Sequence, residues 1–398
     1  MRILIHFTHK QTFGHTTRSF SLARALAHRG ADVLILQGGV PQPFIASPTN
    51  CTLVDIPHPF DSRKSFQGQT KPFSSEIRSD FIFNTTQEFN PDVFISEFFP
   101  FGRLDYTPEL LSTLRYLHKK KKRIIASIGY PLISDLDKFQ EPKFAAFKHA
   151  LFNFFDLFLI HTPSELETPY FEQTLQSSKL AQIYREIIHR LEDRIRYTGY
   201  IFPDKLVTGG EKISVGSSRN FIITSRGGGS VFAKIILAAM KAAKYLDKSY
   251  LSLIAYGPAT PLKERQCFHA MFDSLNTKNI HLTNYFNNLH DILQSCRLSI
   301  SLSGYNTSIQ LMRYGTPSIL IPYYSKHLGN LTNDQIARAK LLQNKFSSVV
   351  LDCHTLTTHT LVQAIQRQLD LPPPKPAPTT WFSGAETAAK IILQDRAN

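Results

Sequence analysis

The sequence is poor in cysteine, with four in 398 residues. Cys51, Cys267, Cys296 and Cys353 lie far apart in the chain, and no two of them form a C-x-x-C pair. This number and spacing argue against a disulfide framework and against a cysteine-based zinc site. A reducing cytosol is therefore the expected compartment.

The sequence also lacks a long uninterrupted apolar run. The longest candidate, residues 144–160, contains Lys148, His149, Asn153 and Asp156, whereas a membrane span needs about 20 predominantly apolar residues. The first residues, MRILIHF, are typical of a strand and show neither the apolar core nor the small-residue cleavage site of a secretory signal. We expect neither export nor a membrane span, and hence a cytoplasmic protein.

Acidic residues are scarce relative to basic ones: 31 Asp and Glu stand against 45 Lys and Arg, for a formal net charge of +14. Such a surplus favours an anionic partner, which means nucleic acid, acidic lipid headgroups or a phosphorylated ligand. The densest block, KKKKR at 119–123, is either a solvated helix C-terminus or a patch for an anionic membrane surface. A peripheral location at the inner membrane face stays open. Nucleic acid is not expected, because the block has no interleaved aromatic residues.

Short apolar runs alternate with helical patterns along the chain. The runs are continuously apolar, which is typical of strands covered on both faces, and helices separate many of them. The pattern predicts an α/β fold with two parallel-sheet units. The predicted strands are residues 2–7, 33–37, 92–96, 123–128 and 157–161 in the first half, and 221–225, 251–256, 280–283, 298–302, 318–322 and 348–352 in the second.

The chain divides where the periodicity is interrupted. Gly199, Pro203 and a glycine pair shortly after them separate the two sets of strands, and such residues mark loops and boundaries. We predict an N-terminal domain at 1–202 and a C-terminal domain at 203–370.

A third segment, 371–398, begins with LPPPKPAPTT. Each proline fixes its own φ and biases the preceding residue away from helix, so this stretch predicts a stiff, extended connector. A helix capped near Ser383 follows. The N-terminal domain is the place where we expect this final helix to pack.

Loops that leave the carboxyl ends of parallel strands are where doubly wound sheets bind ligands. The first such loop, THKQTFGHTTRSFSLARALAHRG, predicts a helix capped by Thr16 or Thr17 and ended by Gly30. His15 then lies just ahead of the helix, at the mouth of the crevice. It is a candidate general base because its imidazole titrates near neutrality, although a cap or a spacer is the alternative.

A second loop, SRGGGS at 225–230, contains Gly227, Gly228 and Gly229. Consecutive glycines are costly in chain entropy, so they suit a place where backbone amides approach a ligand closely. Such a turn at a helix N-terminus forms a site for phosphate, whereas a simple tight turn is the alternative. The loop matches neither the P-loop pattern nor a dinucleotide fingerprint.

The third loop repeats this design in SISLSGYNTSIQLMRYGTPSILIPY at 299–323. A turn at Ser303 and Gly304 precedes a helix predicted from about Asn306. Gln310 lies about two turns after the serine, within reach of a sugar hydroxyl, although a polar helix face is the alternative. If both strands are parallel, the two helix N-termini converge on one diphosphate.

SGYNTSIQLMRYGTPSILIPY, continued by NDQIARAKLL, resembles the C-terminal signature of the MurG-like nucleotide-sugar glycosyltransferases of family 28. FGHTTRSFSLARALAHRGADVLIL is similar to the N-terminal glycine-histidine loop and helix of that group. PDVFISEFFPFGR and YTGYIF resemble segments of a bacterial subfamily of predicted glycosyltransferases. The resemblance implies the GT-B fold, in which two Rossmann-like domains face each other across a cleft, and a sugar donor such as a UDP-sugar. It also implies that domain 1–202 is the acceptor side and that domain 203–370 binds the nucleotide sugar.

The resemblance also implies roles for individual residues. The donor would be held by Gly227, Gly228, Gly229, Ser230, Phe286, Ser303, Gly304, Asn306, Thr307, Gln310, Asp334 and Gln335. Gln310 stands where the family usually has a glutamate on the ribose diol, which changes the basis of nucleotide preference. The first glycine of the N-terminal loop is missing, since Thr12 and Phe13 precede Gly14.

These residues predict an inverting, metal-independent transfer to a hydroxyl acceptor, which is a carbohydrate, a lipid-linked or a small molecule. His15 is the expected base, and Glu97, after the strand at 92–96, its orienting acid. Gly14, Arg18 and Arg103 are acceptor-side candidates, with a structural ion pair as the alternative for each arginine. No cofactor is predicted.

Asp135-Leu136-Asp137 is a D-x-D, which in the other major glycosyltransferase fold would bind a divalent cation. No apolar strand leads into it, so a solvated helix start is predicted there and no metal site.

Two other functions are compatible with the sequence. A nucleotide-sugar 2-epimerase has the same fold and donor cleft, and it would convert the donor without any acceptor. A non-enzymatic basic protein would bind polyanions without affinity for nucleotide sugars.

Overall fold

The computed structural model describes residues 1–9, 13–39, 45–57, 75–133, 136–175, 177–203, 208–214, 220–324 and 334–394. They form two lobes, each built on a parallel sheet with helices on both faces. The predicted α/β architecture with two parallel-sheet units is thereby confirmed.

The first lobe contains a seven-stranded sheet in the order β3-β2-β1-β4-β5-β6-β7, in which every pair is parallel. Its strands are β1 Arg2–Thr8, β2 Asp32–Gly38, β3 Cys51–Asp55, β4 Val93–Glu97, β5 Arg123–Ile128, β6 Leu157–Ile160 and β7 Ile195–Tyr197. Its helices are α1 Gly14–His28, α2 Ser75–Phe89, α3 Thr107–Lys119, α4 Ala145–Asn153, α5 Glu167–Thr174 and α6 Ser178–Leu191.

The second lobe contains a six-stranded parallel sheet in the order β10-β9-β8-β11-β12-β13. Its strands are β8 Phe221–Ser225, β9 Leu251–Ala255, β10 Ile280–Thr283, β11 Leu298–Ser301, β12 Ser318–Leu320 and β13 Val349–Val350. Its helices are α7 Lys234–Ala243, α8 Leu262–Leu275, α9 Leu289–Ser295, α10 Tyr305–Tyr314, α11 Asp334–Phe346 and α12 Thr358–Asp370.

Continuous apolar runs occur because both faces of each sheet are covered. In β1, Ile3, Ile5 and Phe7 pack into the cluster that α1 covers, whereas Leu4 points into the cluster on the opposite face. Successive strand side chains point to opposite faces, so both sets must be apolar. In the second lobe Ile222 and Ile223 divide between two clusters in the same way.

Helix α13, Gly384–Gln394, packs against the first lobe. Its Ala388, Ala389 and Ile392 are fully buried in the cluster formed by β1 and α1. Arg123 Nη1 donates to the Ile392 carbonyl at 2.9 Å, which ties the end of this helix to β5. The chain therefore returns, through the proline-rich connector, to the lobe in which it began.

Among the described helices, none combines the length and the apolar character that crossing a membrane requires.

Candidate functional site

The two lobes face each other across a cleft with a volume of about 480 Å³. In the second lobe β8 and β11 are hydrogen-bonded neighbours, with Ser225 opposite Ser301 at their carboxyl ends. The loops that follow these strands, 226–230 and 303–304, therefore leave the same edge side by side, and both contribute to the cleft wall.

Most of the predicted site residues line this cleft: Gly14, His15, Arg18, Arg103, Gly227, Gly228, Gly229, Phe286, Gly304, Asn306, Thr307, Gln310, Asp334 and Gln335. Glu97, Ser230 and Ser303 are not part of the cleft lining. Glu97 lies behind His15, Ser303 is fully buried beneath its loop, and Ser230 is half-buried outside the lining.

The partly exposed His15 and the buried Glu97 form a pair at the edge of the first sheet. Glu97 ends β4, next to β1, whose following loop leads into α1 and His15. His15 Nδ1 lies 3.2 Å from Glu97 Oε1. Because the carboxylate only accepts hydrogen bonds, Nδ1 carries the proton, and Nε2 is left as a basic nitrogen.

Arg18 also pairs with Glu97. Its Nε donates to Glu97 Oε1 at 3.0 Å and its Nη2 makes a second, close contact. Burial by itself would raise the pKa of the Glu97 carboxyl, but the Arg18 charge and the hydrogen bonds from His15 and Arg18 lower it to about 2. Glu97 is therefore a permanent anion at physiological pH.

His15 is neutral at physiological pH. Burial lowers its pKa below the ordinary 6.5, and the charges of Arg103 and Arg18 lower it further. Hydrogen bonding and attraction to Glu97 oppose this decrease without cancelling it. A neutral imidazole with its proton on Nδ1 is the form that a general base requires.

Helix α1 begins earlier than the sequence suggested. Gly14 is its first residue, and the Thr17 hydroxyl donates back to the carbonyls of Phe13 and Gly14 instead of accepting from the helix amides. The predicted cap at Thr16 or Thr17 is therefore wrong, and His15 lies within the first turn. Gly30, with φ of +83°, lies two residues beyond the helix end as predicted.

The glycine loop of the second lobe is held from behind. A Cβ on Gly257 would lie 2.5 Å from the Gly227 carbonyl oxygen, and both glycines have positive φ. Buried Arg226 donates to the carbonyls of Tyr256 and Ser230. The glycine loop therefore exposes its backbone to the cleft without side chains in between, and its conformation is fixed by these contacts. An anion-binding loop needs both properties.

Helix α7 does not begin directly after these glycines, because its first residue is Lys234. The expectation of two helix N-termini at the cleft is therefore wrong for this loop. Helix α10 does begin at the cleft, with Gly304 as N-cap and Tyr305 as its first residue. Its free amides and dipole favour an anion there.

Behind the 303–304 turn, hydrogen bonds hold the start of α11. The Ser303 hydroxyl donates to the Gln335 carbonyl at 2.9 Å, and Arg338 Nε donates to the Ser303 carbonyl at 3.0 Å. Arg338 also donates to Asp334 at 2.6 Å, while Gln335 Oε1 accepts from the Tyr323 amide at 3.0 Å. Asp334 and Gln335 therefore line the cleft from a helix N-terminus that these hydrogen bonds hold in place.

Gln310 is 5% exposed, and its Oε1 has no hydrogen-bond partner within the described part of the chain. A buried acceptor without a partner is costly, so a ligand hydroxyl reaching it from the cleft would be stabilised. Phe286, buried at 4% exposure, supplies an apolar surface in the same cleft.

The two lobes touch directly beside the candidate base. Asn306 Nδ2 donates to Thr17 Oγ1 at 2.6 Å. The guanidinium of Arg18 lies 4.7 Å from the centre of the Tyr305 ring, and the Tyr305 hydroxyl donates to the His161 carbonyl at 3.1 Å. The second-lobe turn therefore contacts the residues that surround Glu97.

Gly228→Ala tests whether catalysis needs this approach of the lobes. A Cβ at Gly228 would lie 1.5 Å from a ring carbon of Phe13, so the lobes or the ring must move. We expect kcat/KM to fall by about 10-fold or more, because small displacements of reacting groups are costly. Steady-state kinetics measure this. The double variant with Phe13→Ala removes the clash and should recover much of the loss, and unchanged kinetics in Gly228→Ala would contradict the expectation.

Sequence reasoning did not find Ser127 and His161, which lie behind Glu97. Ser127 Oγ is 2.6 Å from Glu97 Oε2 and 2.9 Å from His161 Nε2. Each residue lies at the end of an apolar run, at the edge where ligands bind. Only the order of the strands shows that both of them adjoin Glu97.

Other potential metal ligands lie outside the cleft lining. Asp135 of the D-x-D is outside the described residues, and Asp137 is exposed in a short 3-10 turn. After β13, the residues Asp352, Cys353 and His354 each place one potential ligand atom within 4.8 Å of the others.

Residues 223–392 match the family described as "Glycosyltransferase family 28 C-terminal domain". Over 142 residues the chain is 30% identical to the UDP-N-acetylglucosamine--N-acetylmuramyl-(pentapeptide) pyrophosphoryl-undecaprenol N-acetylglucosamine transferase of Prochlorococcus marinus (strain AS9601). That alignment covers 35% of this chain and 36% of the relative, so the chain spans about a third of the length of the curated relative it matches.

Similar solved structures cover nearly the whole chain. MurG of Acinetobacter baumannii is 13% identical with a TM-score of 0.55, over 99% of this chain and 100% of that one. UGT89C1 of Arabidopsis thaliana, complexed with UDP, is 12% identical with a TM-score of 0.63, over 100% and 94%. These likenesses show the GT-B fold. With the family match, they confirm the resemblance drawn from the sequence.

Proposed function

We propose that this chain, in which residues 223–392 form a glycosyltransferase family 28 C-terminal domain within a GT-B fold, transfers a sugar from a nucleoside diphosphate donor to a hydroxyl acceptor. The observation that carries the proposal is the placement of the neutral His15, oriented by Glu97, in one cleft with the glycine loop and the start of α10.

In this proposal His15 Nε2 accepts the proton of the acceptor hydroxyl as that oxygen attacks the anomeric carbon. The bond between the anomeric carbon and the diphosphate breaks, and its electron pair leaves with the nucleoside diphosphate. The resulting imidazolium is stabilised by the Glu97 carboxylate. A single displacement of this kind inverts the anomeric centre.

In this proposal protein groups alone stabilise the negative charge of the leaving diphosphate, so the reaction is metal-independent. The amides of Gly228 and Gly229 and the N-terminus of α10 would donate hydrogen bonds to it, since backbone amides aimed at a developing anion stabilise it without reorganising. The Gly227 amide itself donates to the Ser225 hydroxyl at 3.1 Å and holds the loop in place. Asn306 and Thr307 lie in the first turn of that helix.

The remaining cleft residues would bind the ribose, the base and the sugar of the donor. Gln310 Oε1 would accept a hydrogen bond from a ribose hydroxyl, and Phe286 would lie against the base. Asp334 and Gln335 would bind hydroxyls of the sugar. A UDP-sugar is the donor class that we propose, and the names of the relative and of the structure complexed with UDP support it.

The acceptor would be a carbohydrate, a lipid-linked molecule or a small molecule bound beside Gly14 and Arg103. The name of the curated relative, whose acceptor is linked to pyrophosphoryl-undecaprenol, favours the lipid-linked class. A cytoplasmic enzyme at an anionic membrane face would suit such an acceptor. The exposed lysines 119–121 at the end of α3 provide one place for that contact.

A thermal-shift screen of nucleotide sugars, followed by product analysis, tests the function. We expect one nucleoside diphosphate series to raise Tm, and the best donor to yield free nucleoside diphosphate and an inverted glycoside only when acceptor is added. Conversion of the donor sugar without acceptor would show an epimerase instead. Polyanion binding without any nucleotide-sugar effect would show a basic binding protein.

The pH dependence of transfer should follow His15. Because the pKa of His15 lies below 6.5, its basic form predominates at neutral pH and is lost only as the pH falls through that lowered pKa. We expect kcat/KM to be flat near neutrality and to decrease on the acid side below pH 6.5. A pH–rate profile measures this, and a decrease that begins above pH 7 would contradict it.

A further inference from the structure

A chain of polar side chains lies behind the His15–Glu97 pair, inside the first lobe. The adjacent strands β4, β5, β6 and β7 each place one polar residue within one position of their carboxyl end: Glu97, Ser127, His161 and Thr198. All four residues are at most 4% exposed. Parallel strands in register place them side by side, with Glu97 opposite Ser127.

Continuous hydrogen bonds join these residues. Ser127 Oγ lies 2.6 Å from Glu97 Oε2 and 2.9 Å from His161 Nε2, and His161 Nδ1 lies 2.8 Å from Thr198 Oγ1. The other carboxylate oxygen, Glu97 Oε1, accepts hydrogen bonds from His15 and Arg18. Both carboxylate oxygens are therefore held, one by the candidate base and its arginine and the other by Ser127.

The directions of these hydrogen bonds follow from chemistry. The Glu97 carboxylate only accepts, so the single proton of Ser127 points to Glu97. Ser127 must then accept from His161 Nε2, which carries the imidazole proton. Burial lowers the pKa of His161 to about 3, so this ring is neutral, and its Nδ1 accepts from the Thr198 hydroxyl.

A backbone contact supports the far end of this chain. The His161 carbonyl accepts from the hydroxyl of Tyr305, which belongs to the other lobe and also accepts from the Ile201 amide at 3.3 Å. Buried polar groups that are fully satisfied in this way specify one arrangement.

We propose that Ser127 and His161 are positioning residues for the base: they fix Glu97, and through Glu97 they fix the orientation of His15. The inference rests on the proposed function, in which His15 is the base. A bidentate carboxylate with one oxygen released can rotate, and a displaced imidazole loses its alignment with the acceptor. Small misplacements of this kind cost up to about 10²-fold in rate.

Ser127→Ala is the first test. We expect kcat to fall by about 10- to 100-fold with little change in the donor KM. The matched control is Ser96→Ala, which removes another fully buried hydroxyl from the neighbouring strand β4. The Ser96 hydroxyl has no hydrogen-bond partner among the described residues, so this variant should keep kcat.

A second measurement does not depend on turnover. The His15 ring resonance, identified by its disappearance in His15→Gln, is followed by NMR as the pH changes. The charged groups that act on His15 are Glu97, Arg18, Arg103 and Asp334. A Glu97 carboxylate that rotates after loss of the Ser127 donor changes its hydrogen bond and its charge interaction with His15, so the His15 pKa should shift in Ser127→Ala and stay constant in Ser96→Ala.

If Ser127→Ala does not fold, two variants of His161 test the same inference. His161→Gln keeps an N–H that can reach Ser127, whereas His161→Leu removes it. We expect His161→Gln to recover much of the kcat that His161→Leu loses, at similar Tm.

A folded Ser127→Ala with the kcat and His15 titration of the wild type would overturn the inference. So would a loss of Tm without any change in the His15 titration, which indicates a structural role alone. If the wild type transfers no sugar, the proposed function fails, whereas the NMR titration still reports on the positioning chain.

Discussion

His15→Ala is expected to lower kcat by about 10²–10⁴-fold while leaving donor binding intact. The reason is that Nε2 of the neutral imidazole is the proton acceptor of the proposed reaction, whereas the donor-binding candidates belong to the other lobe. Alanine in the first turn of α1 is compatible with the helix. Steady-state kinetics give kcat, and calorimetric titration with the nucleoside diphosphate gives the affinity.

The matched control for this experiment is His28→Ala, at the exposed opposite end of the same helix, which should keep both kcat and affinity. Transfer by His15→Ala at the wild-type rate would show that another group, or bulk water, takes the proton. Loss of nucleotide affinity in that variant would place His15 on the donor side of the cleft.

Glu97→Gln is expected to destabilise the first lobe by about 3–5 kcal/mol, because it leaves the Arg18 guanidinium buried without its anion. The side chains of Arg18 and Glu97 are 4% and 1% exposed. For a lobe of this size the loss corresponds to a Tm decrease of about 6–20 °C. Thermal unfolding measures it, and a Tm within about 2 °C of the wild type would contradict this account of the pair.

Two further variants separate stability from catalysis. Glu109→Gln breaks a similarly buried pair with Arg78, whose Nε lies 2.8 Å from the Glu109 carboxylate, outside the cleft lining. It should cost comparable stability while keeping kcat per folded molecule. The double variant Arg18→Met/Glu97→Gln removes both charges, so it should recover much of the Tm but not the rate.

The same carboxylate makes stability depend on pH. Its pKa is about 2 in the folded protein against an ordinary 4.5, so the folded state favours the ionised form. The stabilisation from Glu97 is fully present above pH 4.5 and is lost as the pH falls towards 2. In Glu97→Gln this contribution to acid unfolding should be absent.

Strands that are buried on both faces were predictable, because their apolar runs are continuous. The two strands that sequence reasoning missed are the edges of the first sheet. In β3, Cys51–Asp55, every residue is half-buried or exposed, and β7, Ile195–Tyr197, has only three residues. An edge strand has a partner on one side only, so its sequence is less constrained towards apolar residues.

The candidate site was predictable as far as single loops reveal it. Glycines in a row and a histidine after the first strand indicate their chemistry locally. The positioning chain was not predictable, because Ser127 and His161 become partners of Glu97 only through the order of β4, β5 and β6 in the sheet. Arg18 shows the same limit: only the folded lobe shows that its partner is Glu97.

Because α13 returns to the first lobe, the polypeptide passes between the lobes twice. The two passages are bonded to each other: the Tyr200 amide donates to the Trp381 carbonyl at 2.6 Å, and the Gly384 amide to the Tyr200 carbonyl at 2.9 Å. If one segment connected the lobes, they could rotate relative to each other about any axis. Two hydrogen-bonded segments restrict this motion mainly to a hinge bending of one lobe relative to the other. Cutting one passage with a protease should therefore leave both fragments associated under native conditions.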